Sequence, residues 1–107
     1  MLFIQSLAVF ASLASATSFQ AWTGGDCNGS AGDVVYVATH GTCENVYGRH
    51  SWESNGDNVR GFYYSGGNCQ GYSTYFTGGD GTCNNINTGG PVISMCVVGA
   101  NESGCGL

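Results

Sequence analysis

The chain has no lysine, two arginines and one proline, and charged side chains make up only 8% of its 107 residues. Seven carboxylates against two cations leave a formal net charge of −5. That balance argues against a nucleic-acid binder and a cationic membrane-lytic peptide, because both rely on clustered Lys and Arg. Leucine is nearly as scarce. Beyond residue 16 only Leu107 remains, beside eight Val, two Ile and Met95. Such a supply cannot furnish the repeated apolar stripes of helices, but with 19 glycines and many Val and Tyr it suits short strands joined by glycine turns. A helical bundle, a large α/β enzyme and a multidomain protein are disfavoured together.

What is present begins with a leader-like segment. Leu2 to Leu13 is a short apolar run, and Ala14-Ser15-Ala16 after it fits the small-x-small rule of signal peptidase. Residues 1–16 read as a secretion signal and 17–107 as a single mature domain. The run is shorter than the roughly 20 apolar residues that span a bilayer, so no membrane span is expected. Secretion into an oxidising compartment changes the meaning of Cys27, Cys43, Cys69, Cys83, Cys96 and Cys105. Six cysteines in a short mature chain imply three disulfides rather than a zinc site, and no thiol for catalysis.

The two halves of the mature chain resemble each other. Trp22-Thr23-Gly24-Gly25-Asp26-Cys27-Asn28-Gly29 returns as Tyr64-Ser65-Gly66-Gly67-Asn68-Cys69-Gln70-Gly71, and Gly41-Thr42-Cys43 returns as Gly81-Thr82-Cys83. Ser51-Trp52 and Ser94-Met95 follow. The offsets are 42 for the aromatics and first cysteines, 40 for the second cysteines and 43 for the serines. Two units, about 19–58 and 59–107, are therefore expected to pack on each other, since neither can bury its apolar face alone. Val34–Ala38 and Val92–Val98 read as buried strands, and Val59–Tyr64 and Tyr72–Thr77 as further strands. Asn55-Gly56 and Gly78–Gly81 read as turns. Gly29 and Gly71 take positions that need φ > 0 or close approach. The expected fold is all-β, a small disulfide-rich antiparallel sandwich. If the units are equivalent, Cys27 pairs with Cys43, Cys69 with Cys83 and Cys96 with Cys105; cross-unit pairing is the competing arrangement.

An aromatic, a glycine seven residues on and a later serine, repeated every forty or so residues, resembles the βγ-crystallin double Greek key. Trp22 and Tyr64 match its first aromatic, Gly29 and Gly71 its glycine, Ser51 and Ser94 its serine. Cys27 and Cys69 stand where its second aromatic belongs, which is similar to small cysteine-rich secreted fungal proteins, effector candidates and yeast killer toxin-like proteins among them. The resemblance implies a secreted, non-catalytic protein that modulates or elicits plant defence, located in the host apoplast if its source is a plant-associated fungus. The alternatives are an antimicrobial or killer toxin-like protein and a carbohydrate- or cell-wall-binding module. The expected partner is a host extracellular protein or a cell-wall glycan, bound by a monomer without a cofactor.

Other candidate sites are weaker. The family's calcium loop is approached by Asn84, Asn85 and Thr88, but Gly89 ends the run and no carboxylate lies in it, whereas calcium prefers several oxygens including carboxylates. Turn formation by Asn84, Asn85 and Asn87 is the simpler reading. The polar segment His40–Arg60 holds both histidines, both arginines and Glu44, Glu53 and Asp57. It could suit ribonuclease-type acid/base chemistry, but no second histidine follows His50, and a solvated loop with strand ends is favoured. His40 and His50 lack zinc-ligand spacing. Tyr36, Tyr47, Tyr63, Tyr72, Tyr75, Trp22 and Trp52 are expected to serve mostly as core in a Leu-poor domain, any exposed ones being able to stack on sugars or anchor a protein. Asn28-Gly29-Ser30 and Asn101-Glu102-Ser103 are N-glycosylation sequons, Asn101 the better placed.

Overall fold

A computed structural model describes residues 17–102 and Cys105; the expected leader, residues 1–16, lies outside the described residues. Eight strands run in chain order as β1 (Ser18–Trp22), β2 (Val35–Tyr36), β3 (Thr42–Asn45), β4 (Ser51–Asn55), β5 (Val59–Tyr64), β6 (Ser73–Gly78), β7 (Cys83–Asn85) and β8 (Ser94–Gly99). They form two antiparallel four-stranded sheets, β2-β1-β4-β7 and β3-β8-β5-β6. The all-β disulfide-rich sandwich expected from composition is the observed architecture.

The two sheets are related as the two sequence units are. Within each sheet the fourth, first and second strands of one unit lie side by side, and the third strand is donated by the other unit. Thus β3 pairs with β8 (Cys43 opposite Cys96), and β7 pairs with β4 (Trp52 opposite Asn84). Just past the end of each exchanged pairing the two units repeat one backbone bond: Val46 N–H donates to Ile93 O at 2.7 Å and Ile86 N–H to His50 O at 2.8 Å.

This exchange decides the disulfides. The bonds are Cys27–Cys83, Cys43–Cys69 and Cys96–Cys105. The expected tail bond is present, and the two within-unit bonds are replaced by cross-unit ones. Cys43 sits on β3 and Cys83 on β7, so each second cysteine has moved to the opposite unit's sheet, beside that unit's first cysteine. Closing loops 56 and 26 residues apart in sequence restricts the unfolded chain by about 4 and about 3.5 kcal/mol in the chain-entropy picture.

The repeated hairpin motif is equally legible in atoms. Thr23–Ser30 and Ser65–Tyr72 fold into matching loops, closed by Gly24 N–H to Asn28 O and Gly66 N–H to Gln70 O. Gly29 and Gly71 adopt φ of 83° and 98°, where a β-carbon would press within 2.6 Å of Thr23 Oγ1 or Ser65 Oγ. Ser51 and Ser94 are fully buried beneath these loops. Each hydroxyl donates to a loop carbonyl, Gly24 O or Gly66 O, and accepts from a cysteine N–H, Cys27 at 2.7 Å or Cys69 at 2.8 Å. The serine is thus a latch holding loop to strand in both units.

Between the sheets, Trp52 is completely buried and meets Phe19 and Phe76 edge-on. Its indole Nε1–H donates to Tyr63 Oη at 2.8 Å, while the Tyr63 ring stacks on Phe76 at 4.6 Å. Gly78 faces the indole so closely that a β-carbon would lie 2.4 Å from Trp52 Cη2. Burial pushes the Tyr63 phenol above its ordinary value of 10.0, against a smaller lowering by the Trp52 hydrogen bond.

Two local expectations need correction. Val34–Ala38 is no buried strand: only Val35–Tyr36 pairs, at the sheet edge, with Val34 and Tyr36 exposed and Val35 and Val37 packed on the core. Its β-branched run alternates in and out, as a one-faced strand does. The segment His40–Arg60, expected as a solvated loop with strand ends, holds all of β3 and β4 and the start of β5, and β4 carries the core indole. Val59–Tyr64 is found as expected, Val92–Val98 as Ser94–Gly99 and Tyr72–Thr77 as Ser73–Gly78.

Peptide mapping of the unreduced protein is expected to yield Cys27–Cys83 and Cys43–Cys69 linked fragments, and a Cys27–Cys43 fragment would contradict the strand exchange. Ser94→Ala strands one buried acceptor and one donor, and is expected to cost about 1–3 kcal/mol, read as a fall in melting temperature of about 4–8 °C per kcal/mol; an unchanged midpoint would refute the latch. Because the folded-state Tyr63 pKa lies above the unfolded one, its contribution is complete below about pH 10 and is lost as pH rises through the folded value. Tyr63→Phe should therefore flatten the alkaline loss of stability while costing about 1–3 kcal/mol at neutral pH for the unpaired indole N–H. Parallel pH profiles for the two proteins in urea unfolding would contradict this.

Candidate functional site

Four of the polar side chains that invited an enzymatic reading, Arg49, His50, Asp57 and Arg60, bond to backbone. Arg49 donates from its guanidinium to Ser30 O at 2.9 Å, and the adjacent His50 Nδ1–H donates to Thr23 O at 2.7 Å. Arg60, on the other sheet, reaches the carbonyls of Ala100 and Glu102 and holds the tail that ends in the Cys96–Cys105 bond. Asp57 Oδ1 accepts from the neighbouring Asn58 N–H at 2.8 Å, in the turn between units that Ser54 Oγ–H spans by donating to Asp57 O at 3.2 Å. His40 lies exposed in a turn before β3, apart from His50. Of the groups in this segment, Glu44 and Arg49 share the lining of one small cleft, beside Asp33.

The calcium candidates are likewise occupied with local bonds. Asn84 Nδ2–H donates to Thr82 O at 2.8 Å, Thr88 Oγ1–H to Gly90 O at 3.3 Å, and Asn87 Oδ1 accepts from Gly89 N–H at 3.2 Å. Asn85 does something the turn reading missed: from the end of β7 its amide reaches Gly25 O across 60 residues at 3.0 Å, tying that strand to the first unit's hairpin. Among the described residues no three of His, Cys, Asp and Glu are grouped to hold a metal ion. Both sequon asparagines, Asn28 and Asn101, are exposed.

The tyrosines divide differently from the expectation that these rings serve mostly as core. Trp52 and Tyr63 are core, and Trp22 and Tyr64 are half-buried, but Tyr36, Tyr47, Tyr72 and Tyr75 point to solvent, Tyr72 being 90% exposed. The interior is instead filled by Phe19, Phe76, Met95 and valines from both sheets. The outer face of the β5–β6 hairpin carries a run of rings: Phe62 lies 5.6 Å from Tyr75 edge-on and 6.4 Å from Tyr64.

Tyr64 also borders an open groove of about 360 Å³ between the end of this hairpin and the loop 88–92. Tyr64, Ser65, Tyr72 and Thr74 form one wall, and Thr88 to Val92 the other. The backbone bearing Tyr72 is fixed despite its exposed ring, because Tyr72 N–H donates to Ser65 Oγ at 3.0 Å and Tyr72 O accepts from Ser65 N–H at 2.9 Å. Opposite, a β-carbon on Gly89 or Gly90 would meet nothing within 4 Å, so that wall is open to close approach. Among the described residues no Asp, Glu, Lys, Arg or His lines the groove.

Among the described residues no helix is long and apolar enough to cross a membrane. Set beside known proteins, the chain matches no protein-family model, no curated protein and no solved structure.

Proposed function

We propose that this chain is a secreted, effector-like protein that acts outside the producing cell by recognition rather than catalysis, on a host protein or cell-wall glycan. The two exchanged units are, in this reading, a βγ-crystallin-like double Greek key, with 4-1-2 strand order in each sheet and the third strand handed to its neighbour. The supporting observation is the division of labour among side chains. Arginines and His50 are committed to backbone carbonyls, while tyrosines stand free on a scaffold bound by three disulfides. Rigid aromatic rings with a polar edge are the side chains that anchor interfaces at low entropic cost. Disulfides and a leader-like segment agree with an oxidising, extracellular setting. Exposed Asn28 and Asn101 would then carry N-glycans.

Purified oxidised protein infiltrated into leaf, and added in parallel to yeast and filamentous fungi, tests the reading. Defence induction or necrosis in leaf, retained at the same dose by His50→Gln, is expected. Growth arrest of the fungi without a leaf response would support the toxin alternative instead, and hydrolysis of RNA or polysaccharide by the pure protein would overturn a non-catalytic role.

A further inference from the structure

The groove beside Tyr72 has an internal counterpart, because the two units supply equivalent positions. Ala21, Gly32 and Arg49 of the first unit correspond to Tyr63, Thr74 and Val92 of the second, by the same offsets of 42 and 43 that relate the repeats. Both triplets line a cleft. The first-unit cleft holds about 110 Å³, against about 360 Å³ in the second. Two differences account for this. Arg49 fills the first cleft, its guanidinium bonded to Ser30 O and packed so near Gly32 that a β-carbon there would lie 3.1 Å from Nη2. Val92, in the matching place, is too short to do so. Moreover, residues 47–49 link Val46 to His50, whereas residues 87–92 link Ile86 to Ile93. The additional residues build the Thr88–Pro91 wall.

The clefts differ in charge as well. Asp33, Glu44 and Arg49 line the first. The second has no charged side chain among the described residues, in a protein of net charge −5. It offers instead the rings of Tyr64 and Tyr72, the hydroxyls of Ser65, Thr74 and Thr88, and glycine backbone. Tyr72 stands where the first unit has Ser30. An open, uncharged trough of this kind suits a ligand that presents both apolar ring faces and many hydroxyls, and offers nothing to neutralise a phosphate, a carboxylate or an amine.

We infer that the Tyr64–Tyr72 groove of the second unit binds a neutral oligosaccharide. Sugar ring faces pack on Tyr72 and Tyr64, and sugar hydroxyls bond to Ser65, Thr74 and the backbone of Gly89 and Gly90. This rests on the reading of the chain as a recognition protein and names the chemistry of one of its ligands.

The test is titration of the isotope-labelled, oxidised protein with chitohexaose, a β-1,3-glucan hexamer and a β-1,4-glucan hexamer, with an anionic oligogalacturonide as comparison, followed by NMR. At least one neutral hexamer should shift resonances of Tyr64, Tyr72, Thr74, Gly89 and Gly90, and the oligogalacturonide should not. Tyr72→Ala, at an exposed position that leaves the core untouched, should weaken binding about tenfold or more. Val92→Arg, which installs the residue that closes the sister cleft, should do the same, while Tyr47→Ala should change affinity less than twofold. No shift with any neutral hexamer at millimolar concentration would overturn the inference, as would shifts confined to another face, a response to the oligogalacturonide alone, or unchanged affinity in Tyr72→Ala. Leaf activity without hexamer binding would leave the effector reading standing and remove this one. Binding without leaf or microbial activity would do the reverse.

Discussion

Everything in this domain depends on the exchange of third strands. Neither unit can complete its own sheet: β4 has a neighbour on one side only, β1, until β7 arrives from the second unit, and β8 only β5 until β3 arrives from the first. The aromatic core lies between surfaces that both units must supply, with Trp52 from one and Tyr63 and Phe76 from the other. Two of the three disulfides then lie across the exchange. A chain with so few leucines would have a marginal core at this size, and these covalent ties restrict the unfolded ensemble where the hydrophobic contribution is smallest.

The local half of this structure was written plainly in the sequence. The repeated aromatic, glycine and serine positions describe a hairpin loop and its buried latch, because each is set by neighbours within a few residues or by a strand end that recurs with the repeat. Strand exchange is different in kind. Nothing in Gly41-Thr42-Cys43 states which sheet receives Cys43, and the symmetry of the repeat is satisfied equally by within-unit and reciprocal cross-unit bonds. The aromatics were ambiguous for a related reason. Phe19, Phe76, Tyr63 and Trp52 suffice with the valines to fill the space between sheets, so Tyr36, Tyr47, Tyr72 and Tyr75 have no interior place. The groove was present in the sequence only as a change of offset from 40 to 43, which reads as a longer loop until the structure places it opposite Tyr72.

Duplication leaves one scaffold with two surfaces free to diverge. The first unit closes its cleft with Arg49 and anchors its hairpin through His50. The second keeps the same backbone bonds but replaces the arginine with Val92 and the hairpin serine with Tyr72, leaving an open aromatic groove. The latches Ser51 and Ser94 are the same in both. The hairpin loops and their latches are thus the symmetric features, while the core is shared unequally, Trp52 standing where the second unit has Met95 and Tyr63 where the first has Ala21; on the cleft walls the units differ at positions where a recognition protein can vary its ligand.

Cross-strand nuclear Overhauser contacts in the oxidised, labelled protein test the exchange most directly, because they report strand neighbours without passing through the disulfides. Contacts are expected between Cys43 and Cys96, between Glu44 and Met95, and between Trp52 and Asn84, the pairs set opposite each other in β3–β8 and β4–β7. Contacts joining β3 to β4, and β7 to β8, as hairpins within each unit would contradict the exchange.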